Sequence, residues 1–165
     1  MELVEGRLTV DDTDALVERL GEIGDEHGCA VQAFDARYVA GRDHLERAVE
    51  LADRAIERGE NVARNRGVEI LLYAAGRRQI NQAFEMGVSE GEQAVVVLID
   101  GDDEAGATEA ATEQLDITEP TAAVEHADEE LLRDFFDVTD AERDATDADI
   151  GALVCERVAL LEVEK

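Results

Sequence analysis

The run Val95-Val96-Val97-Leu98-Ile99 constrains this chain more than any other stretch. Five β-branched or aliphatic residues in a row, with no polar alternation, form a strand buried on both faces, and a core sheet has to include it. The rest of the chain must then supply strands beside it and helices over it. Residues 3–8 alternate loosely and predict a first strand. Leu16, Val17, Leu20 and Ile23 follow at helical spacing, with Asp11, Asp12 or Thr13 as the cap and Gly28 as the stop. Residues 30–34 read as a second strand, with Tyr38 as its outer limit. Leu45, Ala48, Val49, Ala52, Ala55 and Ile56 then mark one face of an amphipathic helix that Gly59 ends.

Residues 68–75 fit a strand or a helix by period alone; their alanines and the following Gly76 favour the helix. A further helix over residues 77–86 is expected to bury Ile80, Ala83 and Phe84 and to stop at Gly87. Residues 100–104 read as a turn into a helix ending near Leu115, residues 129–136 and 148–154 as helices, and residues 158–163 as a last strand. No repeat and no linker interrupts the 165 residues, a length that one core can serve. These readings predict a single domain over residues 1–165, of the α+β or mixed α/β class, with several helices packed on a small mixed sheet.

Charge sets the second constraint. The chain has 42 acidic residues against 15 basic ones, a formal net charge of -27. Such acidity with few aromatics can mean disorder, but 45% of the residues are hydrophobic and recur with clear periodicity, so a folded protein is expected. A folded, acidic chain that uses Arg over Lys fits a halophilic archaeon with multimolar salt in its cytoplasm. Cys29 and Cys155 are too few and too far apart for a disulfide framework or a zinc cluster, and both are expected to be free thiols. No apolar run is long enough for a bilayer, and the first residues lack the pattern of a signal peptide. A cytoplasmic protein with no membrane partner is the expectation.

Nine arginines, from Arg37 to Arg78, crowd into one segment, where the acids nearly balance them. Against a charge of -27, this is the surface where an anionic partner meets no dense field of carboxylates. Asp43 with Arg47, Glu50 with Arg54 and Glu60 with Arg64 are acid-before-base pairs four residues apart, which makes structural lacing the simpler reading for those arginines. Arg77 and Arg78 have no acid three or four residues away. Placed at the start of the expected helix, they would oppose its dipole by about 0.3–1 kcal/mol each, and a bound phosphate would reverse that sign. Pairing with acids distant in sequence is an equal alternative.

Residues 59–88, centred on Glu-Ile-Leu-Leu-Tyr-Ala-Ala-Gly-Arg-Arg-Gln-Ile at 69–80, resemble the signature of the CGI-type, TPRKB-like, kinase-binding subunits of the KEOPS complex. Asp43-His44-Leu45 heading a helix, the Val-Val-Val-Leu-Ile-Asp strand and the ending Glu-Arg-Val-Ala-Leu-Leu-Glu-Val agree in order and spacing. The likeness is strong from about residue 41 to residue 100, and the acidic residues between 102 and 149 depart from it. The resemblance implies a non-catalytic regulatory subunit in threonylcarbamoyladenosine modification of tRNA. Such a subunit binds and supports the Bud-type atypical kinase, meets the other KEOPS subunits indirectly, and helps recruit tRNA through its 3′ CCA end. It implies contacts to that end from Arg77, Arg78, Gln79 and Ile80, with Phe84 and Met86 as weaker matches. Single-stranded ends are read by stacking and base-edge hydrogen bonds, which suits these residue types. For Ile80 and Phe84, core packing is the competing reading, and for Phe84 the stronger one.

The chain offers little for an enzyme. No Cys and His stand in a recognisable motif, no phosphate-binding Gly-Lys motif occurs, and His27, His44 and His126 are scattered. His44, at a helix start, is expected to be structural or exposed. The sequence Asp100-Gly-Asp-Asp-Glu-Ala-Gly106 invites a calcium reading, yet Ala105 stands where the loop needs glycine and Ala111 where it needs the bidentate Glu. A solvated turn is expected, with neither metal nor cofactor. A subunit that binds the kinase and makes no RNA contact is the other functional reading, favoured by the negative charge.

Overall fold

The computed structural model describes residues 1–77, 79–118, 127–144 and 149–164. In chain order the elements are β1 (Glu2–Val10), α1 (Thr13–His27), β2 (Cys29–Asp35), α2 (Arg42–Glu57), α3 (Arg66–Ala75), α4 (Ile80–Ala83), β3 (Gly91–Gly101), α5 (Glu104–Gln114), α6 (Glu129–Phe135), α7 (Asp140–Asp144) and α8 (Ile150–Glu164), with 3-10 turns at Ala36–Tyr38 and Phe84–Met86. The class is α+β: eight helices with a three-stranded sheet among the described residues. The chain divides into two compact units, Met1–Ala36 with Gly87–His126, and Arg37–Met86 with Ala127–Lys165.

In the first unit the run Val95–Ile99 forms the buried middle of β3, and β3 is the middle strand of a sheet ordered β1-β3-β2. Both flanking strands pair antiparallel to it, with Val4 opposite Val97 and Val31 opposite Ile99, so the sheet is antiparallel throughout where a mixed one was expected. The two edge strands therefore run parallel to each other, and α1 is the crossover between them. Every second residue of β1 faces one core: Val4, Leu8 and Val10 join Val31, Ala33, Val95, Val97 and Ile99 against Leu20 and Ile23 of α1 and Ala107 and Ala111 of α5. Asp12 caps α1, its carboxylate accepting from the Asp14 and Ala15 amides at 3.0 and 3.4 Å. Gly24 lets α1 pack closely on the start of β2, since a Cβ there would stand 2.5 Å from the Cys29 carbonyl oxygen. Val17 departs from the expected stripe and is 63% exposed. β2 stops at Asp35, and the chain turns into the 3-10 turn before Tyr38.

The second unit is helical. α2 buries Leu45, Ala48, Val49, Ala52 and Ala55 as its periodicity requires, while Ile56, on the last turn, is exposed. α3 is buried on every side from Ile70 to Ala75, which explains why period alone did not separate helix from strand there. Two expectations fail in this unit. Residues 158–163 are no strand: α8 runs unbroken from Ile150 to Glu164 and buries Leu153, Val154 and Val158, spaced as a helix face. Residues 77–86 form no continuous helix either. Arg77 is consumed by the end of α3, Gln79 is extended, and only one α-turn and a 3-10 turn follow. Ala83 and Met86 are buried there, whereas Phe84 is 55% exposed.

Candidate functional site

The segment of interest lies around α3, whose two ends are fixed by different chemistry. At its start Asn65 accepts from the Val68 amide at 3.1 Å as an N-cap. Glu69, one turn in, is fully buried and turns back onto the preceding loop, accepting from the Val62 amide at 2.9 Å and the Ala63 amide at 3.3 Å. The Asn61 side chain donates to the Ala63 carbonyl at 2.9 Å. The loop of residues 59–65 is thereby tied to α3 through its own backbone, with Ala63 buried and Val62 and Arg64 outward.

At the other end Gly76 adopts the left-handed conformation with φ 61°, and the amides of Gly76 and Arg77 donate to the Tyr73 and Leu72 carbonyls at 3.0 Å each. Arg77 thus stands just past a helix C-terminus, where a cation is favoured by the dipole; the expected placement at a helix N-terminus, and the anion site built on it, are corrected. Its guanidinium donates to the Phe135 carbonyl and lies 4.6 Å from the centroid of the Phe135 ring. That ring packs edge-on against Tyr38 at 5.3 Å and Phe136 at 5.1 Å, and Phe136 in turn against His44 at 5.8 Å. Arg157 donates to the Phe136 carbonyl at 3.1 Å, so two arginines cover the last carbonyls of α6.

Beyond Arg77 the named positions separate. Arg78 lies outside the described residues. Gln79 is exposed, Ile80 half-buried and Phe84 exposed, and all three belong to the short α4 and 3-10 segment. Met86 has no exposed surface and is a core residue, so it cannot meet a ligand as it stands. The exposed Phe84 was the missed signal: the spacing of Ile80, Ala83 and Phe84 suits one face of a continuous helix, and this segment is no such helix.

Residues 9–162 match the family described as kinase binding protein CGI-121. The chain belongs to the CGI-121 family. A search of curated proteins finds no match to it.

Among the described residues the arginine island is mostly lacing, in part with other partners than the spacing proposed. Arg54 does pair with Glu50 at 3.1 Å, while Arg47 also reaches Glu50 and Arg42 reaches Glu46 at 2.9 Å. Arg66 forms a two-pronged bond to Asp53, at 2.7 and 2.9 Å. Glu60 and Arg64 lie in the loop between helices, where spacing by four has no helical meaning.

His44 is structural. Its Nδ1 accepts from the Ala40 amide at 3.1 Å, which makes Nε2 the protonated nitrogen, 2.7 Å from the Ala74 carbonyl oxygen. Burial lowers its pKa to about 4, with the Ala74 carbonyl acting the other way. In the acidic turn after β3, Asp103 caps α5 through the Gly106 amide and meets His27 Nδ1 at 3.0 Å; those two bonds lower its pKa. Glu104 accepts from the Gly101 amide at 3.0 Å. These carboxylates serve the turn, and among the described residues no group of three or more His, Cys, Asp or Glu could hold a metal ion. Cys29 and Cys155 are free thiols whose pKa values burial raises, away from nucleophilic thiolate chemistry. No described helix is long and apolar enough to cross a membrane.

Proposed function

We propose that this chain is the non-catalytic, kinase-binding subunit of a KEOPS-type complex that installs threonylcarbamoyladenosine in tRNA, working in the cytoplasm of a halophilic archaeon. Its partner is the Bud-type kinase, and it helps recruit tRNA through the 3′ CCA end. The family match over residues 9–162 carries the kinase-binding part of this reading. The RNA part is supported by the exposed ring of Phe84 beside Gln79 and Ile80, since unpaired bases stack on aromatic faces and offer their edges to amide side chains. In multimolar salt the Debye length is about 3 Å or less, so stacking and close contact must outweigh long-range attraction to phosphate.

A protein-only role is the second reading, and one observation favours it: the Arg77 guanidinium is already engaged by Phe135. Binding of the purified protein to tRNA in high potassium chloride, intact against trimmed of its 3′ CCA end, separates the two. Affinity lost on trimming, and lost equally with Phe84→Ala or Gln79→Ala on intact tRNA, is the expected result. Binding to neither RNA, with kinase binding intact, leaves the protein-only role.

A further inference from the structure

Nine arginines fall from Arg37 to Arg78, a stretch of sequence in which they outnumber the acids. Arg64 is exposed, and its side chain has no ion pair, hydrogen bond or ring contact among the described residues. It stands on the loop of residues 59–65, two positions from Val62, whose side chain is 48% exposed. Ile56, also exposed, sits where α2 runs into the same loop, and its carbonyl accepts from the Gly59 amide at 3.1 Å. An apolar tip and an unengaged cation are therefore presented together.

The backbone beneath them is not left to fluctuate. Glu69 is fully buried, and a buried carboxylate is stable only where donors replace its lost water. The donors include the amides of Val62 and Ala63, the tip of the loop itself. Asn61 and Asn65 add one bond each on either side. The carboxylate satisfies amides that include the buried Ala63 amide, and it fixes the backbone from which Val62 and Arg64 face outward. Preorganisation of this kind lowers the ordering cost of association.

We propose that residues 59–65 are a preformed contact loop for a protein partner, with Val62 and Arg64 as its contact side chains and Glu69 as its positioning residue. Resting on the kinase-binding reading, the proposal assigns the loop to the kinase. The contact chemistry selects a protein over a nucleic acid. Val62 and Ile56 are aliphatic and offer no stacking face, whereas a protein surface can supply an apolar socket bordered by carboxylate for Arg64. That complementarity is most effective at close range.

The test uses the full chain and the purified Bud-type kinase of a halophilic archaeon, titrated in multimolar potassium chloride. Val62→Asp and Arg64→Glu should each lower kinase affinity by about tenfold or more while the melting midpoint stays that of the wild type. Glu69→Gln should also weaken binding, and should speed hydrogen exchange at the Val62 and Ala63 amides while those of α2 keep their protection. Glu69→Asp, which retains the charge, should recover part of both. Wild-type affinity in Val62→Asp and Arg64→Glu would overturn the loop assignment and leave kinase binding standing. A wild-type chain that fails to bind the kinase would overturn both together.

Discussion

The two units carry equal numbers of acids, 21 each, and differ almost wholly in bases, with 2 in residues 1–36 and 87–126 against 13 in residues 37–86 and 127–165. The sheet unit holds its carboxylates with scarcely any internal cation, whereas the helical unit spends arginines on Glu46, Glu50, Asp53 and the end of α6. The difference teaches where each unit finds its stability. One has a strand-built apolar core and few fixed pairs; the other adds fixed pairs and a buried polar network. It also separates surface from role, because an anionic partner approaching the sheet unit meets repulsion that the helical unit has mostly cancelled.

The largest expected effect comes from salt. Dialysis from multimolar potassium chloride to about 0.1 M lengthens the Debye length from about 3 Å or less to about 10 Å and exposes each unit to its own net charge. Amides of β1, β2 and α1 should lose hydrogen-exchange protection before those of α2 and α3. Equal loss in both units would break the comparison.

Acid should act in the opposite order. His44 is buried neutral with its pKa lowered to about 4, so the unfolded chain binds more protons than the folded one between that value and about 6.5. Stability is then full above the unfolded pKa and falls as pH drops toward the folded one, by on the order of 3 kcal/mol. Denaturant midpoints in high salt between pH 7 and pH 4.5 should show this slope, and His44→Gln should flatten it. Exchange resolved by residue should place the loss in the helical unit.

A smaller effect distinguishes engaged arginines from exposed ones. Arg77→Ala leaves the Phe135 carbonyl and ring without their partner and should cost about 1–3 kcal/mol. Arg19, on the sheet unit, is exposed and bonds Gln114 at 3.1 Å, so Arg19→Ala should change stability by about 0.5 kcal/mol or less. Equal costs, measured by chemical denaturation, would show that pairing in the helical unit contributes no more than surface lacing.

The smallest effect is a gain. Asp137 holds a left-handed backbone with φ 55° where α6 ends, and the Val138 amide donates to the Arg133 carbonyl at 2.9 Å as in a glycine-terminated helix. Asp137→Gly removes the Cβ strain and should raise stability by about 1 kcal/mol or less, read as a higher melting midpoint.

Much of the fold was legible because local rules suffice for it. The central strand announced itself by five unbroken apolar residues, α1 by a cap among Asp11, Asp12 and Thr13 and by Gly28 at its end, and α3 by the glycine that follows it. The failures share one cause. Residues 158–163 and 77–86 are short apolar patterns whose assignment depends on neighbours distant in sequence, and period cannot supply those. The same limit governs the site. The exposure of Phe84, the burial of Met86 and the capture of Arg77 by Phe135 all depend on residues far along the chain.

By itself, then, the sequence determined the α+β class, the buried strand, most helix ends, the acidic character and the likeness to CGI-type kinase-binding proteins, because each follows from residue type and spacing along one segment. Tertiary structure alone decided the antiparallel pairing on both sides of β3, the unbroken α8, the partners of the described arginines, and the Glu69 bonds that shape the loop before α3. Those depend on hydrogen bonds and ion pairs closed across long stretches of chain, whose partners no local pattern names.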